Sequence, residues 1–349
     1  MKRETKTLVI CTPGFASSEE DSTCLPMQQS LLRCMQDQYP GWTIIVVAFQ
    51  YPYHANRYQW LGIEVIPFNG RNSRGIKKLL LRRKINAVLK ELHKEQPISA
   101  FLSFWCGECA LVAHRFAATH GVKHYCWILG QDAKRENRYP RQMRLVPDEL
   151  VALSDFVQDR FEEDHGIRPA CVIPPGIDPS GYATGHEKDV DIIGVGSLIP
   201  LKCFDVFIEV IIALKKDRPG IKAVLVGDGS ERKRLEKKIA AERLTDTIRL
   251  TGEIPHAEVL QWMQRSRILL HPSSYEGFGV VMLEALAAGC HVISFCKPMK
   301  QETGQWHIVK DEAAMKQKAM EMLMNNSSGQ QIPFKMTDIA SQWMNLLQG

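Results

Sequence analysis

Two glutamates near the C-terminal end of the chain, Glu276 and Glu284, have a residue type and spacing suited to ligand binding. Glu276 is followed by Gly277 and Gly279, and glycine lets the backbone approach a ligand closely. Glu284 lies in an apolar run, where a buried carboxylate needs a polar partner. We expect that partner to be a hydroxyl group, such as those of a ribose. The alternative is the usual one for a single helical glutamate, a solvated surface charge.

The residues around the two glutamates predict a strand, a loop and a helix. Residues 268–270 form an apolar run typical of a short buried strand, and residues 280–288 are good helix formers that end at Gly289. Glu276 then lies at the carboxyl end of a strand, where open α/β sheets bind their ligands. The following helix N-terminus presents free N–H groups and a positive dipole end, which suits a phosphate.

The complete pattern at 271–289 resembles the E-x7-E signature of the retaining glycosyltransferases of family 4. These enzymes have the GT-B fold, in which two Rossmann-like domains face each other across a cleft and a C-terminal helix crosses back to the first domain. The resemblance implies that Glu276 holds hydroxyls of the donor sugar and that Glu284 holds the ribose. The phosphates would meet the backbone of Gly277, Phe278 and Gly279.

A second segment, 191–205, resembles the strand and loop that open the donor domain of this family. The resemblance implies that Lys202 binds the donor diphosphate; without that context, an exposed loop lysine is the simpler interpretation. Ser197 in the same loop stands where the family often has an arginine, so one cationic contact is missing unless another residue replaces it. Gly227, in the strand and glycine turn at 223–231, resembles the segment beneath the nucleotide base, although such a turn alone is more often only a connection.

The chain length and composition favour two globular domains. The protein has 349 residues, of which 45% are hydrophobic and 24% are charged, an ordinary balance for globular protein. We predict an acceptor-side domain at 1–180, a nucleotide-sugar donor domain at 181–332 and a final helix at 333–349, with a linker near 178–188. Neither an apolar leader nor a long apolar span is present, so we expect a cytoplasmic protein, or one peripheral to the inner face of a membrane.

Strand and helix candidates alternate along the N-terminal half, which predicts crossover connections and a mainly parallel sheet. The predicted strands are 7–11, 43–49, 63–67, 98–104, 125–129, 149–152 and 170–173, and the predicted helices are 25–36, 76–95, 108–120 and 154–164. Gly14 follows the first strand and resembles the family's glycine loop that faces the diphosphate; its alternative is a plain turn. Asp132 follows the predicted strand 125–129 in a segment that resembles one of the family. In that segment Leu129 stands where the family has a histidine, so we assign the acceptor-side contacts to Asp132 or a neighbour.

Metal and disulfide chemistry are not expected. The ten cysteines are scattered, mostly in apolar runs, where a reduced cysteine behaves as a small hydrophobic residue. Cys106 and Cys109 form one C-x-x-C pair, but a tetrahedral zinc site needs a second pair. Asp189 and Asp191 imitate a D-x-D metal motif but precede their strand, on the wrong side for a ligand. We therefore predict no required metal and no cofactor besides the donor substrate.

The stretch 71–84 has seven basic residues and no acidic one, interleaved with isoleucine and leucine. An amphipathic basic helix of this kind can lie on an anionic membrane surface, which suits a lipid-linked acceptor. The alternative is a solvated helix whose leucines face the core. Four arginines at 135–144 could instead meet a phosphorylated or acidic acceptor. The formal net charge is only +5 and nucleic-acid motifs are lacking, so no nucleic-acid partner is expected.

The resemblance to family 4, together with these features, implies a retaining, metal-independent hexosyltransferase (EC 2.4) that moves a sugar from a UDP- or GDP-sugar to a glycan, a lipid-linked acceptor or a polysaccharide precursor. Lys202 and Glu276 are the predicted catalytic residues beside Asp132. Two alternatives stay open: another GT-B enzyme, such as a sugar-nucleotide epimerase or a phosphorylase, and a non-catalytic nucleotide-sugar binder. The sequence does not determine the base, the sugar, the acceptor, the linkage or the oligomeric state.

Overall fold

The computed structural model describes residues 5–183, 185–325 and 329–349. The first four residues of the predicted first domain lie outside this range, as do Thr184 of the predicted linker and residues 326–328 of the predicted second domain. The chain forms two compact units, 5–176 with 336–349 and 177–335. Both are α/β, and each has its own sheet and core.

The first unit contains an eight-stranded sheet within the described residues, in the order β3-β4-β2-β1-β5-β6-β7-β8. Its strands are β1 Lys6–Gly14, β2 Trp42–Tyr51, β3 Tyr58–Trp60, β4 Ile63–Pro67, β5 Ile98–Phe104, β6 Lys123–Ile128, β7 Leu150–Ala152 and β8 Cys171–Val172. All neighbouring strands are parallel except β3 and β4, which are antiparallel. The mainly parallel sheet predicted from the alternating pattern is confirmed, and the short strand β3 was not predicted.

Helices cover this sheet, as parallel strands require, because each connection must cross back over a face of the sheet. They are α1 Pro26–Gln38, α2 Gly75–Glu95, α3 Glu108–His120, α4 Tyr139–Met143 and α5 Asp155–His165. Two cores result, one around β1, β2, α2 and α3 and one around β6, β7 and α5. The chain enters α5 through Ser154, whose hydroxyl accepts a hydrogen bond from the Val157 N–H at 3.1 Å and so caps the helix.

The second unit contains a six-stranded sheet within the described residues, in the order β11-β10-β9-β12-β13-β14, and its neighbouring strands are all parallel. Its strands are β9 Val190–Val195, β10 Ala223–Val226, β11 Ile248–Gly252, β12 Ser266–His271, β13 His291–Ser294 and β14 Trp306–Ile308. Its helices are α6 Phe204–Asp217, α7 Arg232–Ala241, α8 His256–Gln264, α9 Val280–Ala287 and α10 Glu312–Met324. A core of aliphatic residues lies between β9, β10, β12 and the helices α6, α7 and α10.

The last helix, α11 Met336–Gln348, belongs to the first unit. The Trp343 ring packs edge-on against Trp127 of β6, with ring centroids 5.2 Å apart. Ser341 and the Leu346 carbonyl accept hydrogen bonds from the hydroxyl groups of Tyr39 and Tyr125, at 3.1 and 3.0 Å. The chain therefore returns from the second unit to the first, as predicted. Within the described residues, no helix combines the length and the apolar character needed to cross a bilayer.

Candidate active site

The second sheet has a topological switch point between β9 and β12. From β9 the chain proceeds to β10 and β11 on one side of the sheet, and then returns through β12 to β13 and β14 on the other side. The loops that follow β9 and β12 therefore leave the carboxyl edge in opposite directions, and in open α/β sheets ligands bind at such a point. Lys202 lies in the first of these loops and Glu276 in the second.

The Lys202 ammonium forms an ion pair with the Glu276 carboxylate, although the two residues are 74 positions apart. Both side chains are largely buried, with exposed fractions of 19% for Lys202 and 13% for Glu276. The same Glu276 oxygen, Oε1, accepts a hydrogen bond from His271 Nε2 at 2.8 Å. Because a carboxylate only accepts, Nε2 of His271 carries the hydrogen.

The charges at this site follow from these contacts. Burial alone would raise the pKa of Glu276, but the hydrogen bond with His271 and the Lys202 ammonium lower that pKa to about 2. Burial lowers the pKa of His271 and outweighs the opposing effect of Glu276, so its imidazole is neutral. At neutral pH the site therefore contains an ionised Glu276, a cationic Lys202 and a neutral His271. Such a set can bind phosphate and hydroxyl groups, because it offers one cation and one acceptor.

Close backbone contacts connect the loops beneath this ion pair. Gly227 has φ +137°, and a Cβ there would lie 2.0 Å from the Gly196 carbonyl oxygen. Gly229 has φ +158°, and a Cβ there would lie 2.4 Å from the Leu198 carbonyl oxygen. Only glycine fits either position, because any side chain would collide with backbone. The loop after β10 therefore packs directly against the loop that contains Ser197 and Lys202.

The loop after β12 is connected to the same region. The Ser274 N–H donates to the Leu201 carbonyl at 3.0 Å, and the Ser274 hydroxyl donates to it at 3.2 Å. On the other side, the Cys296 thiol donates to the Ser273 carbonyl at 3.2 Å. Burial raises the pKa of this thiol to about 11, so it stays neutral. These contacts hold Glu276 opposite Lys202.

Helix α9 begins directly after the Glu276 loop. Gly279 has φ +77°, the left-handed conformation that glycine adopts most easily, and it turns the chain into the helix. The first turn of α9 contains no acidic residue, so the positive end of the helix dipole has no carboxylate from its own first turn. Phe278 is buried, with its ring 6.1 Å from Trp306 and 6.0 Å from Phe334 between centroids. Its side chain therefore supports the loop, and only its backbone is available to a ligand.

Glu284, in the second turn of α9, binds a histidine, whereas the partner expected from the sequence was a hydroxyl group. His256, the first residue of α8, donates from Nε2 to the Glu284 Oε1 at 2.7 Å. The hydrogen bond with Glu284 raises the pKa of His256 and outweighs the effect of burial. Tyr182 lies close enough for the Glu284 charge to add to the burial that raises the pKa of its hydroxyl. The histidine thus binds one of the two carboxylate oxygens, Oε1.

Two predicted site residues belong to the first unit. Gly14 is the last residue of β1, and its carbonyl accepts a hydrogen bond from the Thr12 hydroxyl at 2.8 Å. Asp132 is buried, and its carboxylate accepts hydrogen bonds from the N–H groups of Cys106, Leu129 and Gly130, at 2.7 to 3.3 Å. The catalytic role of Asp132 stays a prediction, but these contacts favour a role in holding the loop after β6.

The structure thus brings Lys202 and Glu276 together and places Gly227 and Ser197 in the adjoining loops. Sequence reasoning assigned no role to His271 or His256, the two histidines that bind the glutamates. His271 is the last residue of β12, five positions before Glu276, and that closeness in sequence could have indicated the contact. His256 is 28 positions from Glu284, and no local pattern connects them. No group of three or more potential metal ligands occurs in the part of the chain that the structure describes.

Comparison with known proteins identifies the second unit. Residues 183–326 match the family described as Glycosyl transferases group 1. A glycogen synthase of Mycobacterium tuberculosis is 26% identical over 183 residues, which are 51% of this chain and 44% of that protein. The gpi3 subunit of the phosphatidylinositol N-acetylglucosaminyltransferase of Schizosaccharomyces pombe is 35% identical over 155 residues, 44% of this chain and 29% of that protein. The chain thus matches less than half the length of either relative.

The fold of the whole chain resembles that of Anabaena Alr3699/HepE in complex with UDP and glucose. The TM-score is 0.64 with 17% sequence identity, and the match covers 99% of this chain and 100% of the other. The two-unit α/β architecture is therefore that of GT-B glycosyltransferases, as the sequence predicted. Lys202, Glu276 and Glu284 all lie within residues 183–326, the part of the chain that matches the glycosyl transferases group 1 family.

Proposed function

We propose that this chain, which carries a glycosyl transferases group 1 domain on a GT-B fold, is a retaining glycosyltransferase of family 4. It would move a hexose from a nucleoside diphosphate sugar to a glycan, a lipid-linked acceptor or a polysaccharide precursor. The observation that carries the proposal is the convergence of Lys202 and Glu276 at the switch point of the second sheet. UDP is the first nucleotide to test, because the similar fold of Alr3699/HepE was solved with UDP and glucose.

The donor would bind through side chains that already lie in position, and it would replace one of their present contacts, the ion pair between Lys202 and Glu276. Its diphosphate would bind the Lys202 ammonium and N–H groups of the first turn of α9, because anions bind at helix N-termini at this edge of the sheet. The ribose hydroxyls would donate to Glu284, whose orientation is held by His256. The sugar hydroxyls would donate to Glu276 once the diphosphate has drawn Lys202 away, while His271 keeps the carboxylate in position.

The chemistry would depend mainly on charge stabilisation. As the glycosidic bond to phosphate breaks, negative charge grows on the leaving diphosphate, so a preorganised Lys202 stabilises the transition state more than the ground state. A double displacement needs a carboxylate nucleophile close to the anomeric carbon. Glu276 is the carboxylate in contact with Lys202, and in the donor complex it would bind hydroxyl groups of the sugar and not the anomeric carbon. We therefore favour attack on the face that the phosphate leaves, with the phosphate accepting the proton of the acceptor hydroxyl.

A non-catalytic nucleotide-sugar binder is the second candidate. Two departures from the family pattern favour it: Ser197 stands in the donor loop where an arginine is common, and Leu129 precedes Gly130 where a histidine is common. A binder would retain the contacts of Lys202 and Glu284 and release no nucleotide. Another GT-B enzyme, such as an epimerase, would change the sugar nucleotide without forming a glycoside, and product analysis separates it from a transferase.

The first experiment is a donor panel without acceptor and with EDTA present. The purified chain is incubated with uridine, guanosine and adenosine diphosphate sugars, and thermal shift is measured together with release of nucleoside diphosphate. We expect a thermal shift with one base and slow nucleotide release by hydrolysis, unaffected by EDTA. A shift without release, even with a broad mixture of acceptors, would support the binder. No shift with any donor would refute the site assignment.

A further inference from the structure

The exposed side of α2 has an unusual composition for a solvated helix. Ile76, Leu79 and Leu80 have exposed fractions of 78%, 49% and 54%. The core contacts of this helix come instead from Leu81, Ile85, Leu89 and Leu92. At 3.6 residues per turn, these two sets fall on opposite sides of the helix. The three exposed side chains therefore contribute nothing to the core, and we call them the aliphatic face.

The surroundings of the aliphatic face are strongly basic. Of the seven cations between 71 and 84, Lys78 and Arg82 pair with Glu108 of α3, at 3.5 and 2.9 Å. Within the described part of the chain, no carboxylate forms an ion pair with the other five, Arg71, Arg74, Lys77, Arg83 and Lys84. Lys78 also donates to the Tyr139 hydroxyl at 2.9 Å, which places the exposed Arg138 and Arg141 beside the same region. The basic surface thus extends from α2 to α4.

The loop before α2 presents this helix rigidly. Asn69, Arg71 and Asn72 all have positive φ, between 48° and 54°. At Gly70 a Cβ would lie 2.5 Å from the Phe49 carbonyl oxygen, so the loop is packed tightly against β2. The Asn72 N–H donates to Gln50 Oε1 at 2.8 Å and adds a further connection to β2. A helix start held this firmly keeps the aliphatic face pointing outward.

We propose that the aliphatic face and its surrounding cations dock the first unit on an anionic lipid surface. Aliphatic side chains gain free energy by entering the boundary between headgroups and acyl chains, and cations near the surface are attracted to anionic headgroups. A symmetric contact between two copies of this face would bring like charges together. Nucleic acid would leave Ile76 and Leu80 without an apolar partner. A surface of exposed aliphatic residues among cations without a carboxylate partner is thus complementary to an anionic membrane.

This inference does not depend on the proposed transferase activity. If both hold, docking would bring the enzyme to an acceptor carried by the same membrane, and that link alone rests on the proposed function. Nucleoside diphosphate binding is therefore measured separately on every variant. Failure of membrane docking with normal nucleotide binding would refute only the docking surface.

The test is sedimentation of the chain with vesicles of phosphatidylcholine alone or with 30% phosphatidylglycerol. Two variants change exposed side chains of this surface. The aliphatic variant combines Ile76→Ser with Leu80→Ser, and the charge variant combines Lys77→Gln, Arg83→Gln and Lys84→Gln. Each variant has a matched control at exposed positions of the second unit. The aliphatic control combines Ile308→Ser with Met324→Ser. The charge control combines Lys233→Gln, Lys237→Gln and Lys310→Gln.

We expect the unmodified chain to bind the anionic vesicles and to be released as salt rises. The aliphatic variant should lose at least about tenfold in vesicle affinity, from two aliphatic groups, and the charge variant about 100-fold, from three surface cations. The controls should stay within about threefold. The proposal is overturned if the unmodified chain stays in solution, if the controls lose as much affinity as the variants, or if only the charge variant loses it. Equal affinity for soluble poly-glutamate would overturn it as well.

Discussion

The ion pair between Lys202 and Glu276 predicts opposite effects on nucleotide binding when each partner is replaced. In the free protein, Glu276 competes with an incoming diphosphate for the Lys202 ammonium. Lys202→Met removes the cation, and a hydrogen bond to a charged group contributes roughly 1.5 to 3 kcal/mol. The affinity for the nucleoside diphosphate should therefore fall by about 10-fold to 150-fold.

Glu276→Gln should leave that affinity unchanged or raise it. The substitution frees the ammonium from a largely buried ion pair, so a bound diphosphate no longer has to displace a carboxylate. Transfer should nevertheless fall at least about tenfold, because the amide is a weaker acceptor for the sugar hydroxyls. Glu276→Ala and Lys202→Ala should each lower transfer by at least about the same factor with the fold intact.

Isothermal titration with UDP and with GDP measures the affinity, and release of nucleoside diphosphate from the donor sugar measures turnover. Urea denaturation of each variant serves as the control for folding. If Glu276→Gln weakened nucleotide binding as much as Lys202→Met, the two residues would not compete as the geometry implies. Unchanged turnover in both variants would refute the site assignment itself.

Three further predictions concern the partner of Glu284, the loop after β10 and Asp132 of the first unit. His256→Asn should weaken binding of a ribonucleoside diphosphate by about threefold to tenfold and spare its 2′,3′-dideoxy analogue, because the histidine orients Glu284 toward the ribose hydroxyls. The pKa of His256 is raised in the folded protein, so its protonation stabilises the fold. That stabilisation is complete below the unfolded pKa and is lost as pH rises through the folded pKa. The melting temperature of this variant should therefore differ from that of the parent more at pH 5.5 than at pH 8.5. Gly227→Ala should destabilise the second unit by about 2 to 4 kcal/mol in urea denaturation, through strain and collision with backbone, whereas Gly220→Ala, with open space around it, should have little effect. Asp132→Asn should lower the free energy of unfolding by about 1 to 3 kcal/mol, because an amide cannot accept from all the N–H groups that the carboxylate binds. Nucleotide binding should be unaffected. Lost transfer at unchanged stability would instead identify a catalytic carboxylate.

The elements with long apolar runs were predicted most closely. The predicted bounds of β4, β5 and α3 are those of the structure, because each is a continuous apolar or amphipathic run that ends at turn or capping residues. The three-residue strand β3 was missed, because it is too short to have a period of its own and its pairing depends on β4. In the second unit, α9 was predicted to within one residue from its helix formers and the glycines at its ends.

For α2, the sequence pattern left two interpretations open. A basic stretch with interleaved leucines is compatible with leucines that face the core and with leucines that face a membrane. The structure shows that Leu81 faces the core and that Ile76, Leu79 and Leu80 face outward. Helical periodicity alone could not decide this, because a run of apolar neighbours covers both sides of the helix, and only the position of the sheet selects the buried side.

The sequence by itself determined the two glutamates of the site and the local element that carries each. Glu276 and Glu284 had to lie in a loop and the helix after it, since glycines, helix formers and a short apolar strand surround them. Tertiary structure alone decided what those groups do. It placed Lys202 against Glu276 across 74 positions, gave each glutamate a histidine, and used the Asp132 carboxylate to bind backbone N–H groups. The physical reason is that ionisation and hydrogen bonding depend on distance and burial, and both are fixed only when separate segments of the chain pack together.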